Sequence, residues 1–257
     1  MDAVTLEIAA PHVALVTIQR PEARNSVNGA VAQLLDQAVK TVEADPDIWA
    51  AVLTGAGGVA FCAGADLKEV SAGRMDDLYT SDGAFAGFVK HPRQKVWIAG
   101  VEGYAMAGGC EIALACDMIV AAEQSVFALP EVMRGLIAAA GGVYRIVRAL
   151  PRAIALELLA TGDRLPAARA GELGLVNRVV PQGQAVDEAI ALASRICANA
   201  PIAVRETLGV ARKAYDLDDD ALFALGLEAQ DRVMLTEDFA EGPRAFIEKR
   251  PAIWKGR

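Results

Sequence analysis

The sequence predicts an α/β fold, with one core of stacked strand-and-helix turns over residues 1–195 and a helical region over 196–257. Three observations carry that prediction. Hydrophobic residues make up 54% of the 257 positions and aromatic residues only 5%, so the core is built mainly from Ala, Val, Leu and Ile. The 23 glycines, set among many alanines, imply close backbone approach and several tight turns. Short apolar runs recur through the middle of the chain between glycine-rich or helical stretches, and helical periodicity takes over from Pro181.

Each element has its own signal. "VTLEI" and "VALVTI", joined by "AAPH", read as a β-hairpin, and the polar loop "QRPEARNSVN" follows. Val31, Leu34, Leu35, Ala38, Val39 and Val42 form a helical stripe that stops before Pro46. "WAAVLTG" is a buried strand running into the glycine-rich loop "GAGGVAFCAGAD". "KVWIAGVEG", "CDMIVAAE" and "GLVNRVV" are further short strands. Stripes over 184–199, 202–215 and 218–234 predict helices, the last two separated by the polar "DLDDD". No Gly-, Ser- or Pro-rich linker divides the chain. The helical extension is too small to bury much surface alone, so it is expected to pack on the core or on another subunit.

Composition narrows the function. A net charge of −8 and a pI of about 4.9, with no basic cluster, argue against a nucleic-acid partner. The N-terminus carries an early acid and no basic segment, unlike a signal peptide, and no apolar run approaches the roughly 18 residues of a membrane helix. A cytoplasmic location without a membrane partner is expected. Cys62, Cys110, Cys116 and Cys197 lack CxxC spacing and read as reduced thiols in apolar surroundings. His12 lies in the hairpin turn and His91 beside Pro92; neither belongs to a cluster with metal-ligand spacing, so no metal is expected. "GAGGVA" matches a degenerate dinucleotide fingerprint, with Asp76 about twenty residues on, but it runs into "FCAGAD" rather than a helix, against the motif's structural context.

Two carboxylates have unusual settings. Glu111 follows "AGG" and precedes "IALAC"; Glu131 sits in "FALPEVMRG" among Phe127, Leu129, Val132 and Met133. Apolar surroundings raise a carboxyl pKa and can keep the acid protonated near neutral pH. Glu111 is equally readable as an acid in a helix's first turn and Glu131 as a surface loop residue. The glycines add a second element, because "GG" at a helix mouth leaves backbone N–H groups open to an oxyanion and "FCAGADL" offers another such donor. Two N–H donors and two carboxylates would suit proton transfers beside a polarised thioester carbonyl. Tight turns alone would also explain these loops.

Four segments together resemble the enoyl-CoA hydratase/isomerase, or crotonase, superfamily: "RPEARNSVN", "AVLTGAGGVAFCAGADLKE", "GYAMAGGCEIALACDMIVAAEQSVFALPEVMRGL" and "AFIEKRPAIWKGR". The likeness spans nearly the whole chain. It implies a spiral of repeated ββα units with a C-terminal helical region that supports trimers or hexamers. It implies Ala65 and Gly108 as oxyanion-hole donors, and Glu111 and Glu131 as the glutamate pair of a hydratase. Ala23 and Arg24 match the early CoA-contacting loop. Asp66, Leu67 and Lys68 match the segment lying against CoA, and Phe246 and Lys249 match C-terminal CoA contacts, partly across a subunit boundary. The implied activity is reversible hydration of a 2-enoyl-CoA thioester, with CoA as part of the substrate and no cofactor. A Δ3,Δ2-enoyl-CoA isomerase and a catalytically idle CoA- or RNA-binding scaffold are the alternatives.

The chain departs from the family pattern at several points. Glu102 stands where relatives commonly have Asn, and Ala107 where they commonly have Gly. "LIAAAGGVYRI" replaces a loop that usually holds a proline and a glutamine, and no proline follows Lys95. The Ile137–Tyr144 loop is expected to shape the acyl pocket. "FALPE" and the C-terminal segment are most similar to the carnitinyl-CoA dehydratase branch.

Overall fold

The computed structural model describes residues 2–257. The chain divides into two compact units, Met1–Ala193 and Ser194–Arg257.

In the first unit, β1 (Val4–Ala10) and β2 (Val13–Ile18) form the antiparallel hairpin, pairing Val4 with Ile18 and Ile8 with Ala14. His12 makes its turn with φ 64° and stacks on Trp49 at 3.7 Å. α1 (Gly29–Ala44) is capped by Asn28, whose side chain accepts the Val31 N–H. Next come β3 (Ala50–Gly55), β4 (Ala60–Cys62), α2 (Leu67–Ser71), and the short strands β5 (Tyr79–Thr80) and β6 (Ala84–Phe85). β7 (Val96–Val101), β8 (Tyr104–Met106) and α3 (Gly108–Ala115) follow, then β9 (Met118–Ala122) and β10 (Val126–Ala128). A 3-10 turn at Pro130–Arg134 leads to α4 (Gly142–Ala149), α5 (Arg152–Thr161), β11 (Leu165–Pro166), α6 (Ala167–Glu172) and β12 (Arg178–Val180). The unit ends within α7 (Ala185–Cys197).

Six strands form one sheet, β1-β2-β3-β7-β9-β12, parallel throughout beyond the first hairpin. Every residue of β3 and β7 is buried, which explains why both read as unbroken apolar runs without alternation. Four short strands form a second sheet, β11-β10-β8-β4, in which β4, β8 and β10 run parallel. Consecutive pairs β3/β4, β7/β8 and β9/β10 each send one strand to each sheet, so successive turns of chain stack as rungs. Trp97, Phe61, Phe88 and Phe127 fill the centre of the core. Glu102 is buried beside it, and its carboxylate accepts the N–H of Ala185 at the start of α7 (2.9 Å) and the side-chain amide of Gln124 (3.2 Å). A negative charge at a helix N-terminus is favourable, which explains an acid at this position.

The "GAGGVA" segment connects β3 to β4 and opens no helix, as its sequence context indicated. All four cysteines are free. Among the described residues, no helix is long and apolar enough to cross a membrane.

The second unit contains α8 (Pro201–Ala211), α9 (Asp219–Met234) and α10 (Glu237–Glu248). α8 stops short of the sequence stripe, in turns leading to Asp218, which caps α9 by accepting the Ala221 N–H. α10 escaped the periodicity because Gly242 and Pro243 interrupt it, yet Pro243 is accommodated inside the helix. The C-terminal tail is tied to α10: Asp238 accepts the backbone N–H groups of Lys255 (2.7 Å) and Gly256 (2.9 Å). Buried Glu241 accepts the Ile253 N–H (2.9 Å) and pairs with Arg250 and Arg244.

Candidate active site

Three parallel rungs end at one edge of the second sheet. β4 pairs with β8 so that Cys62 faces Ala105, and β8 pairs with β10 so that Ala105 faces Phe127. Ala65 and Gly108 each lie three residues beyond the paired Cys62 and Ala105, at equivalent places on neighbouring rungs. Neighbouring strands run about 4.8 Å apart.

Local bonding leaves both N–H groups unused by the backbone ladder. Ala65 forms an isolated parallel bridge with Val27, made by the Val27 N–H to Gly64 O and the Asp66 N–H to Val27 O, each 2.8 Å. That pattern uses the flanking residues and directs the Ala65 N–H away from Val27. Gly108 opens α3, so its N–H is among the four that a helix leaves unpaired at its positive end. The two loops touch: a Cβ on Gly64 would stand 3.0 Å from Gly108 N. No side chain fits at the helix mouth either. A Cβ would meet the Phe85 ring at 2.5 Å from Gly108, and Cys62 O at 2.0 Å from Gly109. Ala107, just before them, holds φ 51° and ψ −127°, a conformation suited to glycine.

Glu111 sits in the first turn of α3 and is only 4% exposed. Its Oε1 accepts the Gly142 N–H at 2.8 Å. Burial pushes its pKa up to about 7; the charge of Glu131 adds to this, while the backbone N–H groups of Gly142 and Ala140 and the charge of Arg145 oppose it. Glu131 lies on the third rung, in the 3-10 turn directly after β10, with Pro130 fixing the turn's start. Its Oε2 is buried and makes no hydrogen bond within the protein, and burial raises its carboxyl too. Neither carboxylate is a solvated surface acid. Tyr79 stands close enough to Glu111 to feel its charge, and its ring packs edge-on against Phe85 at 5.7 Å.

The early loop joins this edge. Ala23 ends a short 3-10 turn, and Arg24 (φ 51°) accepts the Ala63 N–H at its carbonyl. Asp66 caps α2 through the Lys68 N–H (3.0 Å) and pairs with Arg20 at 3.0 Å. Burial alone would raise its carboxyl, but these partners outweigh it and hold it below the usual carboxylate range. Leu67 is 74% exposed, and Lys68 is exposed beside it. The structure thus gathers Ala23, Arg24, Ala65, Asp66, Leu67 and Lys68 on adjoining loops, with Gly108, Glu111 and Glu131 on the next two rungs. Phe246 and Lys249 belong to the second unit, at the end and C-cap of α10; Phe246 is 85% exposed.

The comparisons with known proteins agree with this architecture. A family model described as enoyl-CoA hydratase/isomerase matches residues 9–257. This chain belongs to the enoyl-CoA hydratase/isomerase family. An enoyl-CoA hydratase of Mycobacterium tuberculosis is 39% identical over 96% of this chain and 94% of its own. A carnitinyl-CoA dehydratase of Salmonella enteritidis is 38% identical over 94% of each chain. Among solved structures, an enoyl-CoA hydratase from Mycobacterium tuberculosis superposes with a TM-score of 0.95 at 44% identity, and a carnitinyl-CoA hydratase from Mycobacterium avium with 0.77 at 46%, each covering both chains fully. The fold is the crotonase fold of this family.

Sequence reading missed Gly142, Arg145 and Tyr79. The expected Ile137–Tyr144 loop ends earlier, because α4 begins at Gly142 and takes Val143 and Tyr144 into its first turn. The "GG" at 141–142 was the available signal, since it repeats the glycine pair at the mouth of α3.

Proposed function

We propose that this protein is an enoyl-CoA hydratase that adds water reversibly across the α,β double bond of a 2-enoyl-CoA thioester. The observation that carries the reading is the placement of two desolvated carboxylates, Glu111 and Glu131, on the rungs beside a pair of free backbone N–H groups. The thioester oxygen would lie between the N–H groups of Ala65 and Gly108, which stabilise the enolate character that builds up there. Glu111, ionised, takes a proton from water as the hydroxyl bonds to Cβ. Glu131, protonated, gives its proton to Cα. Dehydration is the same path reversed. Each proton transfer by a positioned group contributes about 10²–10⁴-fold.

In this reading CoA is the handle of the substrate, and the reaction as written requires no metal or redox cofactor. The adjoining loops at Ala23–Arg24 and Asp66–Lys68 are the proposed CoA contacts, and Phe246 and Lys249 are proposed as contacts made partly across a subunit boundary. Assembly as a trimer or hexamer and a cytoplasmic location belong to the same proposal; light scattering coupled to gel filtration measures the assembly.

The test is incubation with crotonyl-CoA and crotonobetainyl-CoA in parallel, following loss of enoyl-thioester absorbance and the added mass of water. Hydration of either supports the reading, and the preferred ester separates general acyl from carnitine-type substrates. Double-bond migration without a hydroxyacyl product would replace it with isomerisation. Binding of CoA esters without turnover would leave a non-catalytic scaffold.

A further inference from the structure

The loop that holds Glu111 is itself held. Arg145, in the first turn of α4, donates from Nη1 to Ala140 O at 3.0 Å and from Nη2 to Val89 O at 2.6 Å. The guanidinium thereby joins the segment after β6 to the loop ahead of α4. It passes so close to Gly141 (φ 108°) that a Cβ there would stand 2.0 Å from Nη1. One residue further, Gly142 aims its N–H at Glu111 Oε1. A chain of direct contacts therefore runs from Val89 through Arg145 and the Ala140–Gly142 backbone to the carboxylate.

We infer that Arg145 is a positioning residue that fixes the Glu111 carboxylate by clamping the Ala140–Gly142 backbone. It spends its donors on two backbone carbonyls rather than on an acid, so its charge is left to act through space. Burying a guanidinium is costly, and burial does disfavour its charge here. A neutral donor would avoid that cost, but it would not offset the two influences that push Glu111 towards its neutral form, burial and the Glu131 charge.

The groups facing Glu111 are Glu131 from the 3-10 turn, Tyr79 from β5, Cys110 on its own helix and Arg145 from α4. Arg145 is the cation among them. Its own neighbours are the Tyr144 ring at 5.1 Å, Arg148 and Cys116. Removing the Arg145 charge shifts the Glu111 titration upward, and releasing Ala140 lets the Gly142 N–H drift from Oε1.

The kinetic part of this inference rests on the hydratase reading; the titration does not. The experiment is carbon NMR of the full-length protein with ¹³C-labelled glutamate carboxyls, in the wild type, R145K and R145M, with E111Q identifying the Glu111 signal. The Glu111 midpoint is expected to rise in R145M and to lie between the two in R145K. With an enoyl-CoA substrate, R145M is expected to lower kcat at least about tenfold, with KM within about twofold, because misplacing a reacting group costs rate more than binding. An R145M protein that is folded by its amide spectrum and has an unmoved Glu111 midpoint overturns the inference. If R145M does not fold, R145K decides: a raised midpoint supports the clamp, and a wild-type midpoint with wild-type kcat overturns it. Failure of the hydratase reading would show separately, as a wild type that does not turn over while the titration still reports on the clamp.

Discussion

The N–H of Gly142 meets Oε1 of Glu111 at 2.8 Å, and a methyl group on Gly142 would stand 3.0 Å from that same oxygen. The carboxylate is held by a backbone position at which even a methyl group would press on it. The contact orients the glutamate and favours its anion, against the burial that favours the neutral acid.

Stability should depend on the charge of Glu111. Its folded pKa, about 7, lies above the ordinary 4.5 because burial disfavours the anion. The folded state therefore binds more protons than the unfolded state between those values. The group's contribution is fully present below pH 4.5 and is lost as pH rises through 7. Replacing Glu111 by Gln is expected to raise the melting temperature at pH 8, by up to about 3 kcal/mol in stability, and to change it little near pH 4. Thermal melts of both proteins across that range check this; equal melting temperatures at pH 8 would refute it.

The same glutamate should set the alkaline requirement of the reaction. A base with a pKa near 7 is half ionised at neutral pH, so kcat/KM, which reports the free enzyme, is expected to climb as pH rises through 7. E111Q and E131Q are each expected to lower kcat by at least about 10²-fold while CoA-ester binding stays within a few-fold. Steady-state rates paired with calorimetric binding measure both, and a near-normal rate in either variant removes that residue from the chemistry.

Gly142→Ala tests the contact itself. The added methyl presses on Ala138 Cβ and Glu111 Oε1, each 3.0 Å away, in a helix that otherwise accepts alanine. The expected outcome is a folded protein whose kcat falls about tenfold or more with KM little changed. Wild-type kcat in a folded G142A protein would show that the carboxylate has slack.

Ala107 stores strain at the mouth of α3. With φ 51° and ψ −127° its Cβ is crowded by the backbone, whereas glycine adopts this conformation freely. Ala107→Gly is expected to stabilise the protein by about 1 kcal/mol, raising the melting temperature by roughly 2–4 °C. A lower melting temperature would mean that the Cβ contributes packing that outweighs the strain.

Much of this architecture is readable in the sequence, for identifiable reasons. β3 and β7 are continuous apolar runs because parallel strands are covered on both faces. α1 shows its stripe because one face packs on the sheet while the other meets solvent. The rungs β4, β8 and β10 are only three residues long, too short to show any period, although they position the site. Glu111 and Glu131 stood out through their apolar neighbours. Arg145 did not, because a basic residue on an amphipathic helix looks like an ordinary solvent-facing one, and its use depends on where Val89 and Ala140 come to lie. α10 was hidden by Gly242 and Pro243.

In the hydratase reading proposed above, the stacked rungs supply two kinds of group. The proposed donors at Ala65 and Gly108 come from the first two rungs and are main-chain N–H groups, which side-chain replacement leaves in place unless proline is introduced. The residue at 131 comes from the third rung and is a side chain, open to replacement. In that reading, changing the side chain at 131 alters proton delivery to Cα while the proposed carbonyl donors stay in place.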